Sequence, residues 1–174
     1  MACIFYNSVN SRIVQIIGRQ LTMSIEWLLF VVLVVVNLIN LGVQLYIHFE
    51  AYPVMQAVGK AEFSDYLKEY ENRLLVPLML PFVITILSNI ALIFVRPEVV
   101  PVVAVIVVLV INLSVGFVSV MIATPVYNRI AEAKEASGAN MASLMKINLL
   151  RLGLTIVSNA VLVVILYLIL AGLV

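Results

Sequence analysis

The chain has 174 residues, 64% of them hydrophobic and 11% charged, with a mean hydropathy of +1.19 and a net charge of +1. Soluble domains are about half apolar and a quarter charged, and so short a chain exposes too much surface to bury this excess in one globular core. That argues against a soluble enzyme and a disordered tail, and the near-zero charge against a nucleic-acid binder. What remains is an integral membrane protein.

Residues 1–22 place Val9, Ile13, Ile16, Ile17 and Leu21 on one face and Arg12, Gln15 and Arg19 on another. The stretch reads as an interfacial amphipathic helix, or as an extension ahead of a functional start at Met23. It does not read as a cleaved signal peptide, because the first long apolar run begins after Met23 and is long enough to span.

Four apolar runs come next, over residues 25–47, 74–95, 99–123 and 147–174. Each exceeds the roughly 20 residues that cross the hydrocarbon core. Glu26 and Arg151 are their only formal charges, both near a span end. Arg96-Pro97-Glu98 joins the second and third runs so tightly that they must be antiparallel neighbours. Residues 48–73 and 124–146 carry most of the charge. In the first of these links Phe63, Tyr66, Leu67, Tyr70 and Leu74 recur at helical spacing between Glu62, Asp65, Lys68, Glu69 and Glu71, an amphipathic helix leading into the second run. The second link starts at Pro125 and reads as a helical extension of the third run, through Arg129, Glu132, Lys134 and Glu135 to a Gly stop at Gly138. Both are expected to lie at the membrane surface. The runs lack the period-two alternation of a β-barrel. The expected fold is therefore all-α: an N-terminal segment (1–22) and a four-transmembrane-helix bundle (23–174).

The bundle reads as two tandem hairpins. Thr85-Ile86-Leu87-Ser88-Asn89 recurs as Thr155-Ile156-Val157-Ser158-Asn159, and Ile39-Asn40-Leu41 as Ile111-Asn112-Leu113. Ala51, Pro53 and Val54 recur as Ala123, Pro125 and Val126. Three matching segments in one order at nearly one offset point to a duplication, with the halves related by a pseudo-twofold along the membrane normal.

Each span carries its polar residues on one stripe: Asn37, Asn40, Gln44 and His48; Thr85, Ser88 and Asn89; Asn112 and Ser119; Asn148, Arg151, Thr155, Ser158 and Asn159. Lipid does not satisfy amides, so the stripes should face one another. Two readings compete. The stripes are packing contacts, at about 0.6 kcal/mol each, or they line a polar cavity whose ligand-binding residues are Asn37, Asn40, Gln44, Asn89, Asn112, Asn148 and Asn159. Packing is the favoured one. His48, Glu50 and Arg151 are the candidate catalytic residues, since they should gather at one mouth of the bundle. Arg151 either snorkels or pairs with Glu50, Glu69 or Glu71.

No zincin, nucleophile-elbow, P-loop or dinucleotide motif occurs. One histidine and one cysteine, Cys3, make haem or transition-metal ligation by this chain alone unexpected, and no cofactor is named. Lys60, Lys68, Arg73, Arg129, Lys134, Lys146 and Arg151 on the long-link side outnumber Arg12, Arg19 and Arg96 opposite, which puts the long links in the cytoplasm.

Tyr52-Pro53-Val54-Met55, Ala57-Val58-Gly59, Glu62-Phe63-Ser64-Asp65-Tyr66, Arg73 and Pro77-Leu78-Met79 resemble small bacterial four-helix membrane proteins of the DUF1772, or anthrone-oxygenase-like, family. Ala123-Thr124-Pro125, Asn128-Arg129-Ile130 and Asn148-Leu149-Leu150-Arg151 are similar to its later half. The resemblance covers about residues 23–160. It implies a four-helix fold in a bacterial cytoplasmic membrane and, for some members, oxidation of polycyclic aromatic substrates. Members often carry histidines where this chain has Leu67 and Tyr127, and that departure weighs against an oxygenase role.

The sequence thus reads as a non-catalytic membrane protein, either an accessory subunit of a larger complex or a binder of a lipophilic molecule. The alternatives are an enzyme acting on an aromatic or quinone-like substrate, and a small transporter or channel. The lipid bilayer is the one firm partner, and nucleic acid is not one.

Overall fold

The computed structural model describes residues 25–136 and 138–173, so the expectations for the N-terminal segment lie outside the described residues. Four helices account for nearly all of them, with no strand among the described residues: α1, Ile25–Ala57; α2, Phe63–Phe94; α3, Val102–Ala133; and α4, Gly138–Leu170. Each is long and apolar enough to cross a membrane. The chain is a multi-pass membrane protein with a four-helix bundle fold.

The helices are longer than the apolar runs. At 1.5 Å per residue, one of 32 residues extends about 48 Å against about 30 Å of hydrocarbon. The amphipathic links prolong the spans, as their helical spacing predicts: residues 63–73 continue directly into α2, and residues 124–133 complete α3. The reason is in the core. Phe63 and Leu67 pack with Met55 of α1, Ile130 of α3, and Met141 and Leu144 of α4 in one buried cluster, so the apolar stripe of each link simply prolongs that of its span. Gly138 is not a stop. Lys134 takes the left-handed position that ends α3, at φ 52°, and Gly138 opens α4 at φ 68°.

Pro53 and Pro125 should break α1 and α3, because neither ring offers an N–H to the carbonyl four residues back. Each helix instead widens just before its proline. A π turn spans Ile47–Ala51 and another Val118–Ala123. The Tyr52 N–H donates to the Ile47 carbonyl and the Thr124 N–H to the Ser119 carbonyl, five residues back in both cases. The extra residue lets the chain stay helical past the proline and shifts by one the residues that face inward beyond it.

α2 packs on α3, α3 on α4, and the π turn of α1 on α4. A second apolar cluster fills the opposite end, around Phe30, Leu33, Leu92, Val108, Leu162 and Ile165. Between the two clusters lies a belt of buried polar side chains. The outer surface is apolar, with Phe94, Val103 and Leu87 among its most exposed residues, as lipid contact requires.

Candidate functional site

The polar stripes converge. Asn37 is fully buried and sits at their centre. Its side-chain Oδ1 accepts from Asn112 Nδ2 (3.3 Å) and from Ser158 Oγ (3.2 Å), while its backbone carbonyl accepts from Asn159 Nδ2 (3.2 Å). Asn112 also donates to Ser158 Oγ (3.3 Å), which ties α1, α3 and α4 together. Asn40 Nδ2 donates to Thr85 Oγ1 (2.8 Å) and ties α1 to α2. Asn89 and Asn159 each donate to the carbonyl of the threonine one turn back, Thr85 and Thr155, at 2.9 Å. This much of the belt behaves as packing.

Asn89 Oδ1 is left without a partner among the described residues, and toward the long-link end such atoms gather: Gln44 Oε1, Asn148 Oδ1 and Arg151 Nε are buried and have no hydrogen-bond partner among the described residues. Asn148 Nδ2 reaches only the Gln44 backbone carbonyl, at 3.4 Å. Buried polar groups in folded proteins are normally paired, so orphans mark places where something else is bound.

Arg151 is 6% exposed, so it does not snorkel. No carboxylate pairs with it among the described residues: Glu69 pairs with Arg73 at 2.6 Å, and Glu135 with Lys60. Its neighbours are neutral, the Tyr52 hydroxyl against the guanidinium and Tyr70 beside it. Glu71 lies against the Tyr127 hydroxyl.

These residues surround two adjoining cavities. The outer one, about 500 Å³, lies between α2 and α3 and is lined by Tyr52, Tyr70, Glu71, Tyr127 and Arg151. Leu75, Met79 and Val120 in its wall are also exposed on the outer surface, so it opens sideways toward lipid. The inner one, about 120 Å³, is lined by Asn40, Gln44, Asn112 and Thr155. Arg151, Leu78, Met79, Ser119 and Val120 line both. Phe82 closes the inner end, its ring resting on Gly116, where an added Cβ would lie 2.8 Å from Phe82 Cζ.

The candidates from sequence therefore divide. Asn40, Gln44, Asn112 and Arg151 line the cavities, and Asn148 joins them through Gln44. Asn37 and Asn159 belong to the central network, and Asn89 bonds only within its own helix. His48 packs edge-on against Phe49, 5.0 Å between ring centres, with Nδ1 unpartnered. Glu50 is exposed, and neither His48 nor Glu50 lines either cavity. The expected cluster of histidine, carboxylate and arginine at the mouth is not assembled. No three His, Cys, Asp or Glu side chains come together among the described residues. Tyr52, Tyr70 and Tyr127 join the site although no motif marks them; their one signal in the sequence is the aromatic content of the links.

Such an arrangement can hold a molecule by one cation, several phenols and free amide groups, with an apolar path to lipid. Comparison with protein-family models, with curated proteins and with solved structures finds no match to this chain.

Proposed function

We propose that the protein binds a lipophilic molecule drawn sideways from the bilayer into the cavity between α2 and α3, and holds it without transforming it. The carrying observation is the 500 Å³ cavity itself, with an apolar mouth at Leu75, Met79 and Val120 and the polar Arg151 at its floor. That volume is within the range of small-molecule sites, and its mixture of apolar walls and few polar groups is typical of them. Binding rather than catalysis is supported by the positions of His48 and Glu50 off the cavity. The test is gentle solubilisation of the whole chain, followed by mass spectrometry of the molecules that co-purify. The reading expects a lipophilic compound enriched over bulk membrane lipid, and its loss in Ser119→Trp, which fills the shared wall. A co-purifying profile identical to bulk lipid, unchanged by that substitution, would contradict it.

Three further features belong to the same reading. The chain consists of two related hairpins. In support, the π-turn bonds Tyr52–Ile47 and Thr124–Ser119 are 72 residues apart at both donor and acceptor, and the Thr85–Asn89 and Thr155–Asn159 contacts share one geometry. Kinship with the DUF1772 group is supported by the convergence of Tyr52, Asn148 and Arg151, three residues of the resembling motifs, around one site. The long-link end, where the cavity lies, faces the cytoplasm on the weight of its basic residues.

A further inference from the structure

We infer that the molecule held in this cavity is an amphiphile with an anionic oxygen head, bound by Arg151, whose apolar chain leaves between α2 and α3. The inference rests on the binding reading above and names the class of ligand.

A guanidinium withdrawn from water is costly unless a charge or a full set of acceptors meets it. Arginines inside spans accordingly pair, snorkel or face a pathway. Arg151 does neither of the first two. It is more than nine-tenths buried, its Nε has no partner among the described residues, and Glu69 is committed to Arg73. Glu71, on the cavity wall, is exposed and faces Tyr127. The nearest groups, the phenols of Tyr52 and Tyr70, carry no charge to offset it, but each can donate a second hydrogen bond to an anion that Arg151 holds.

The geometry of the cavity supplies the rest. Arg151 lies where the inner and outer cavities meet, so a head group seated there has the amides of Asn40, Gln44 and Asn112 behind it and the apolar mouth in front. The planar fork of arginine matches the paired oxygens of a carboxylate or phosphate. A neutral lipid would gain the mouth but leave the guanidinium unmatched. A free anion would satisfy the guanidinium but leave Leu75, Met79 and Val120 without a purpose at the opening.

The test compares pairs of molecules that differ only in charge, by native mass spectrometry of the full chain released from detergent. The probes are oleate against methyl oleate, and dioleoyl phosphatidate against dioleoylglycerol. Charged hydrogen bonds in a dry site predict that the wild-type protein retains at least one charged member about tenfold or more over its neutral partner. The pair showing the larger preference identifies the head as carboxylate or phosphate. Arg151→Gln should abolish the preference while still retaining the neutral members, and Arg151→Lys should keep part of it. Equal retention of charged and neutral members by wild type overturns this inference and leaves the binding reading standing. Retention of no member overturns both. A preference that persists in Arg151→Gln removes Arg151 from the role. The wild-type comparison stands even if a variant does not fold.

Discussion

Asn112 of α3 donates through Nδ2 to Asn37 Oδ1 of α1, 3.3 Å apart in the middle of the bundle. Around that bond Asn37 also serves Ser158 and Asn159, so one side chain and its carbonyl join three helices. Asn89, equally buried, bonds only to the Thr85 carbonyl of its own helix. Polar contacts between membrane helices average about 0.6 kcal/mol and reach about 1.7 kcal/mol. Asn37→Leu is therefore expected to cost about 2 kcal/mol and Asn89→Leu less than about 0.6 kcal/mol, measured by unfolding in mixed micelles. Equal costs would mean that the network does not hold the bundle.

Among the described residues Arg151 supports no other residue through an ion pair, and a buried unpaired charge weakens a fold. Arg151→Met should accordingly raise the stability of the delipidated protein, by about 1 kcal/mol or more. Thermal unfolding in neutral detergent reads this. A clear loss of stability would make the guanidinium a structural strut and leave no reason to seek a ligand for it.

The spans and the polar stripes were legible in the sequence because both obey simple rules. Long runs without charge must cross lipid, and amides at helical spacing must face inward, as Asn37, Asn40, Asn112 and Asn159 do. The cavity was hidden by the π turns. Helical counting puts His48 on the stripe of Gln44 and Asn40, but the extra residue in Ile47–Ala51 shifts by one the residues that face inward after it. It leaves Glu50 outside and carries Tyr52 in to Arg151. Composition contains nothing about such a turn; the proline after it is the one clue. The left-handed residue that ends α3 was equally hidden, since Lys134 rather than a glycine adopts it.

A π turn is an α-helix with one residue added, so removing one should restore α-helix without rotating the flanking segments. Deletion of Ile122, within Val118–Ala123, is expected to be tolerated, whereas deletion of Ile106 in the α-helical part should unfold the protein. The latter turns everything beyond it by about 100° and exposes the polar stripe to lipid. Expression and thermal stability of the two deletions provide the comparison.

The seat of Phe82 on Gly116 gives a coupled pair. Gly116→Ala drives its Cβ into the ring and should cost about 1 kcal/mol, the ordinary penalty of overpacking. In a Phe82→Ala background the same substitution should cost almost nothing. A double-mutant cycle on thermal stability measures this, and additive effects would show that the ring does not close the inner cavity there.

The claim that the cavity takes up an amphiphile is tested most directly by fluorescence. The chain has one tryptophan, Trp27, which packs on Phe30 in the half of the bundle away from the cavity. A Trp27→Phe, Phe82→Trp variant moves that reporter to the cavity wall. Titration with dibromostearate should quench the moved reporter along a saturable curve that oleate reverses, while Trp27 of the wild type is quenched only in proportion to bulk lipid. Indistinguishable, non-saturating quenching of the two reporters would contradict the account.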